Sequence, residues 1–180
     1  MAFDEVLARL SARLAGFQRS GRPEALFATA TTVDAEALTP IALSDTDTDT
    51  DTGQASACLV LGWLHFFRYA ALGQEAGDAQ HRELARALIF LVRVAGNPDA
   101  VPDPLLALLG PAAHAADQDR IGSELLGAYL RSPDPYMVDA GIMLMAAAVA
   151  ATADDDPRVG SRIAALIVGH QWRYQRTERA

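Results

Sequence analysis

Apolar residues return every three or four positions through most of this chain and almost nowhere in alternation, which predicts helices and no sheet. Between Phe3 and Phe17 the apolar positions are Phe3, Leu7, Leu10, Leu14 and Phe17, with Glu5, Arg9 and Arg13 between them. That is one amphipathic helix, closed near Gly21. Pro23 suits a first helical turn, so a second helix is expected from there toward Leu38, with Pro40 closing it. From Ala55 to Leu72 the chain is apolar around nearly its whole circumference, and such a helix needs cover on two sides. Ala79–Ala95 resumes the amphipathic pattern, with Leu84, Leu88, Leu91 and Ala95 on one side and Arg82, Arg86 and Arg93 on another. The two form an αα-hairpin that ends at Gly96-Asn97-Pro98. A short helix capped by Asp103 and starting at Pro104, a helix over Asp117–Leu130, another over Tyr136–Thr152, and a last one from Asp156-Pro157 to about Arg176 complete seven or eight helices.

One stretch breaks the pattern. Asp45 to Thr52 is a fourfold Asp-Thr repeat with no central glycine and no closing glutamate, so it reads as a solvated linker and not as a calcium loop. It divides the chain into an N-terminal helical segment, residues 1–40, a flexible linker, 41–54, and a helical-repeat region, 55–180.

Repetition is the second signal. His65-Phe66-Phe67-Arg68-Tyr69 and His170-Gln171-Trp172-Arg173-Tyr174 share a pattern, each with a leucine four residues earlier, at Leu61 and Leu166. The offset of 105 residues is three periods of about 35, near the length of a tetratricopeptide unit. A helix hairpin cannot cover its own apolar face, so hairpins stack. The stretch from Leu61-Gly62-Trp63-Leu64 through Tyr69, with Asn97-Pro98-Asp99-Ala100-Val101-Pro102 after the next helix, resembles the tetratricopeptide-type repeats that precede CHAT protease domains in actinobacterial proteins. Asp154-Asp155-Asp156-Pro157-Arg158 and the helix ending Arg173-Tyr174-Gln175-Arg176-Thr177 are similar to the inter-repeat loop and following helix of those arrays. The resemblance covers roughly residues 55–177, departs from the pattern between Gly110 and Ser132, and includes no protease domain. It implies an all-α fold of antiparallel hairpins stacked as a short TPR-like α-solenoid, and protein binding as its role.

Composition narrows the function classes. All fifteen basic residues are arginine, yet the formal net charge is −8, which opposes binding to nucleic acid or to an anionic membrane. The acidic start, Met1 to Glu5, lacks the basic and apolar regions of a signal peptide, and the longest fully apolar run, Gly141–Ala151, is too short to span a bilayer. A cytoplasmic protein is expected. Cys58, the single cysteine, excludes an internal disulfide and reads as a small buried hydrophobe. The four histidines show no metal-ligand spacing, and His65 and His170, at equivalent repeat positions, are expected to be packed and hydrogen-bonded. No phosphate loop, serine elbow or dinucleotide fingerprint is present, so catalysis, metal and cofactor find no support.

The expected function is that of an adaptor or regulatory domain that binds another protein. Its expected surface is a concave face of Trp63, Phe67, Arg68 and Tyr69, their counterparts Trp172 and Arg173, and the arginine stripe of Arg82, Arg86 and Arg93, since arginine binds carboxylates in a bidentate way. Two alternatives stand beside it. One is a small all-α enzyme or ligand carrier with a pocket between helices around His65 and Tyr69. The other is a homo-oligomer that associates through an exposed patch of Met137, Met143 and Met145.

Overall fold

The computed structural model describes residues 2–44, 52–110 and 112–178, and among these every regular element is helical. The long helices are α1 (Phe3–Ser20), α3 (Thr29–Ala42), α4 (Thr52–Leu72), α5 (Asp78–Leu91), α7 (Ala115–Arg131), α8 (Pro135–Ala150) and α9 (Val159–Thr177). Two short ones, α2 (Glu24–Phe27) and α6 (Asp103–Leu109), and three single 3₁₀ turns join them. The expected tract Asp45–Asp51 lies outside the described residues, and α4 begins directly after it at Thr52.

Several boundaries differ from the pattern for identifiable reasons. The helix expected from Pro23 to Leu38 is two helices, broken at Ala28, whose backbone is extended at ψ 141°. The buried hydroxyl of Thr31 donates to the carbonyl of Ala25, at 2.7 Å, and so satisfies a carbonyl at the end of α2. Pro40 does not close α3, which carries it inside its last turn and continues to Ala42. Asp103 is not a cap but the first residue of α6, with no side-chain cap bond at that end. Asp134 caps α8 as an acid should, accepting from the amide of Tyr136 at 2.9 Å. Gly21 closes α1 in the left-handed conformation, φ 66°, with its amide donating to the Phe17 carbonyl.

Packing runs along the chain. α1 lies against α3 and α4, α3 against α4, α4 along α5, α5 against α7 and α8, α7 along α8, and α8 against α9. The first core joins Val6, Leu10 and Leu14 of α1 and Leu26, Leu38 and Ala42 to Ala57, Cys58, Leu61 and Leu64 of α4. Residues on both sides of the Asp-Thr tract therefore share one core, and the Gln54 amide donates back to the Ser44 carbonyl across it. A second core joins α5, α6, α7 and α8 through Leu88, Leu91, Leu105, Leu125, Met137 and Leu144. The helix α4 has the length and composition of a membrane span, but it sits between α1, α3 and α5 and buries His65 and Arg68. The methionine patch is not at the surface: Met137 and Met145 are fully buried and Met143 is half-buried, because α8 is covered by α5, α7 and α9.

Candidate functional site

Where α3, α4, α5 and the start of α8 converge, a cleft of about 270 Å³ opens to the surface. Helical spacing brings charge into it from two neighbouring helices. His65 and Arg68 stand one turn apart on α4, and Arg86 and Phe90 one turn apart on α5, so both pairs face the same gap. Thr32, Glu36 and Thr39 supply the α3 wall, and Tyr136 closes the side next to α8.

The electrostatics divide into a paired half and an unpaired one. Nδ1 of His65 lies 2.6 Å from Glu83 Oε2, and both side chains are largely buried. Burial holds the His65 pKa below its ordinary value against the opposing pull of Glu83, so the ring is neutral at neutral pH. For Glu83 burial acts upward, but the His65 hydrogen bond and the nearby charges of Arg68 and Arg86 outweigh it and keep the carboxyl below its usual range. Arg86 bridges to Asp134 Oδ2 at 2.9 Å, sits 3.8 Å from Glu83, and lays its guanidinium over the Tyr136 ring. The Asp134 carboxylate thus does two things, capping α8 with one oxygen and holding Arg86 with the other. The buried Nε of Arg86 takes no hydrogen bond.

Arg68 is the unpaired half. It is 5% exposed, and its donors reach only neutral groups: Nε donates to the Leu26 carbonyl at 2.9 Å and Nη2 to the Thr32 hydroxyl at 3.2 Å. No described carboxylate lies within ion-pair distance of it, although Glu36 lines the same cleft, and burial lowers its pKa against the pull of Glu83, which acts through space and not in contact. Buried charges in proteins are ordinarily paired, because an isolated one carries a desolvation cost of several kcal/mol. A guanidinium that lines an open cleft and lacks an acid is a ready receptor for a carboxylate or another planar oxyanion.

The residues singled out in the sequence fall at separate places. Arg68 and Arg86 meet in the cleft. Trp63 is half-buried between the cores, with its indole N–H donating to the Ala100 carbonyl at 2.9 Å, and it borders a different depression with Phe66 and Pro102. Phe67 packs on Phe17 and Trp63, and Tyr69 packs beside Phe66 against the second core, so Tyr69 does not share the His65 cleft; the tyrosine there is Tyr136. Arg82 donates to Ser132 Oγ, Arg93 is exposed beside a third depression, and Trp172 and Arg173 lie on α9, Trp172 stacked near Tyr129. His170 differs from its expected counterpart: it is exposed on α9 and meets only Arg173, whereas His65 is buried. The offset of 105 residues therefore joins two histidines in unlike surroundings.

Glu83, Asp134, Tyr136 and Thr32 escaped the sequence reading. The Glu83/Arg86 spacing of three residues was visible, but only the register of α4 on α5 shows that Glu83 takes His65. Cys58 is buried with its thiol toward the Ala42 carbonyl and its pKa raised by burial. Among the described residues no three His, Cys, Asp or Glu side chains gather closely enough to hold a metal ion. Comparison of the chain with protein-family models, with curated proteins and with solved structures returns no match.

Proposed function

We propose that this chain is a protein-interaction module of TPR-like stacked hairpins, without catalytic chemistry of its own, whose cleft receives a carboxylate carried by a partner protein. The single observation that carries the reading is Arg68, a buried guanidinium without an acid on the wall of an open cleft. The order of packing supports the repeat architecture. α1 packs with α3, α4 with α5, and α7 with α8, and each pair lies against the next along the chain. In such a stack neighbouring hairpins build the binding groove together, and here three of them contribute to one cleft. A volume near 270 Å³ takes one acidic side chain or a chain terminus, not a folded segment, so the rest of a peptide would run over the rim.

A second reading has its own observation. The cleft, at about 270 Å³, also has room for a small carboxylic acid held entirely within it, against Arg68 and Arg86. Calorimetric titration with acidic peptides and, separately, with free dicarboxylates discriminates the two. Peptide binding lost in Arg68→Met supports the interaction module. Equal binding of the free acid moves the function to a ligand carrier. If neither binds, the carboxylate reading fails.

A further inference from the structure

Among the described residues α9 packs against α8 and α7 and leaves its outer face exposed. Its outward residues include Ile167, 61% exposed, Tyr174, 62% exposed, and Ile163, 41% exposed, with the small Gly160 and Ala164 between them. From Ile163 to Val168 this face is uninterrupted by polar residues, and Arg162 before it points inward and is 1% exposed. Charge is placed at the two ends instead, and with opposite sign. Asp154 and Asp155, just before α9, are exposed and form no ion pair among the described residues. Arg173, in its last turns, is exposed and its guanidinium meets only His170.

We infer that the outer face of α9 is a self-association surface on which a second copy of this chain docks with its own α9 antiparallel to the first. Only an antiparallel arrangement uses the end charges: each copy lays its acidic Asp154-Asp155 end beside the basic Arg173 end of the other, so one two-fold axis satisfies both pairs. A parallel arrangement sets acid on acid and arginine on arginine. Centring the crossing near Ala164 and Ala165 sets Ile163 of each copy over Ile167 of the other, while Ala164 and Gly160 allow the helix axes to approach closely. The chain carries a net charge of −8, which opposes self-association over most of its surface; this face is where that repulsion is absent. Two helices of 19 residues crossing in this way bury on the order of 1,000 Å², the low end of specific interfaces and the range of weak association.

Sedimentation velocity of the full chain, from about 1 µM to about 1 mM, tests the inference. The expected result is a monomer–dimer equilibrium within that range. Ile167→Glu, at an exposed position that leaves the fold and melting temperature unchanged, is expected to hold the chain monomeric throughout. Asp155→Arg is expected to weaken the dimer about tenfold, and Asp155→Arg with Arg173→Asp to restore it. A wild-type chain that stays monomeric at the upper concentration overturns the proposal, as does a dimer that survives Ile167→Glu or a charge swap that fails to restore association. Because no residue of α9 lines the cleft, carboxylate binding by a monomeric chain sinks this inference alone, and a dimer that ignores carboxylates sinks only the reading of the cleft.

Discussion

Arg162 is the most voluminous fully buried side chain, and its handling contrasts with that of Arg68. Its Nε donates to Asp119 Oδ2 at 3.0 Å and one terminal nitrogen reaches the Thr152 hydroxyl, so its charge is answered from within, although Nη2 has no partner. Removing the acid strands a buried cation, whereas replacing both partners with apolar residues strands nothing. Asp119→Ala is therefore expected to cost about 3 kcal/mol in denaturant unfolding, and Asp119→Leu with Arg162→Met much less. A smaller loss in the double variant than in the single one is the deciding result; equal losses mean that the pair matters only for packing. His65 gives a pH signature. Its pKa is lowered in the folded chain, so the unfolded chain takes up the proton first as pH falls, and stability present above the ordinary histidine pKa of 6.5 declines below it. Thermal melts between pH 7.5 and 5 are expected to show this decline in the wild type and a flatter profile in His65→Gln. A profile unchanged by the substitution assigns the acid sensitivity to other groups.

At the scale of elements, glycine decides how closely helices approach. A Cβ on Gly141 of α8 would lie 2.8 Å from Leu126 Cγ and 3.2 Å from the Gly122 carbonyl oxygen, and one on Gly122 would lie 3.0 Å from Met145 Sδ. The pair α7/α8 is thus packed backbone to backbone around two glycines, and α4/α5 repeats the device with Gly62 against Leu91. Gly127, also in α7, has only the flexible tip of Arg131 at 3.8 Å. Gly141→Ala is expected to destabilise by about 1–3 kcal/mol through overpacking. Gly127→Ala is expected to stabilise by about 0.5–1 kcal/mol through helix propensity. Opposite signs in one unfolding series check the argument, and a gain at both positions refutes the close approach. These elements were the legible part of the sequence. The periodicity of Phe3–Phe17 and the Gly21 stop follow from local chemistry, as does that of Ala79–Ala95 as far as Leu91, where α5 gives way to a 3₁₀ turn. The break at Ala28 was not legible, because local periodicity says nothing of a Thr31 hydroxyl turned back to Ala25. Nor was the site: Arg68, Arg82, Arg86 and Arg93 look alike on a helical wheel, and only packing separates the one sealed inside from those that meet Ser132, Asp134 or solvent.

For the whole molecule the position of the cleft matters more than its shape. Two of the three cores border it, one built by α1 to α4 with Phe90 of α5 and the other by α5 to α8, and Trp63, Val94 and Tyr136 pack against both; the third joins α7 and α8 to α9. The cleft opens along this seam, with Thr32 and Arg68 from the first core's elements and Arg86 and Tyr136 from the second's. A carboxylate held between Arg68 and Arg86 would add a bond across the seam, beside the extensive packing of α4 along α5. Ligand that binds only the folded chain stabilises it by about 2.7 kcal/mol at a hundredfold excess over Kd. The seam dictates where that stability appears. In the free chain, amide exchange is expected to show two levels of protection, since proteins open in cooperative parts. Saturation with an acidic peptide is expected to slow exchange in α4 and in α5 together, because Arg68 of the one and Arg86 of the other hold the same group. Protection confined to α3 and α4 would mean that the carboxylate sits on Arg68 without engaging Arg86, and the cleft would then be a property of the first core and not a joint between the two.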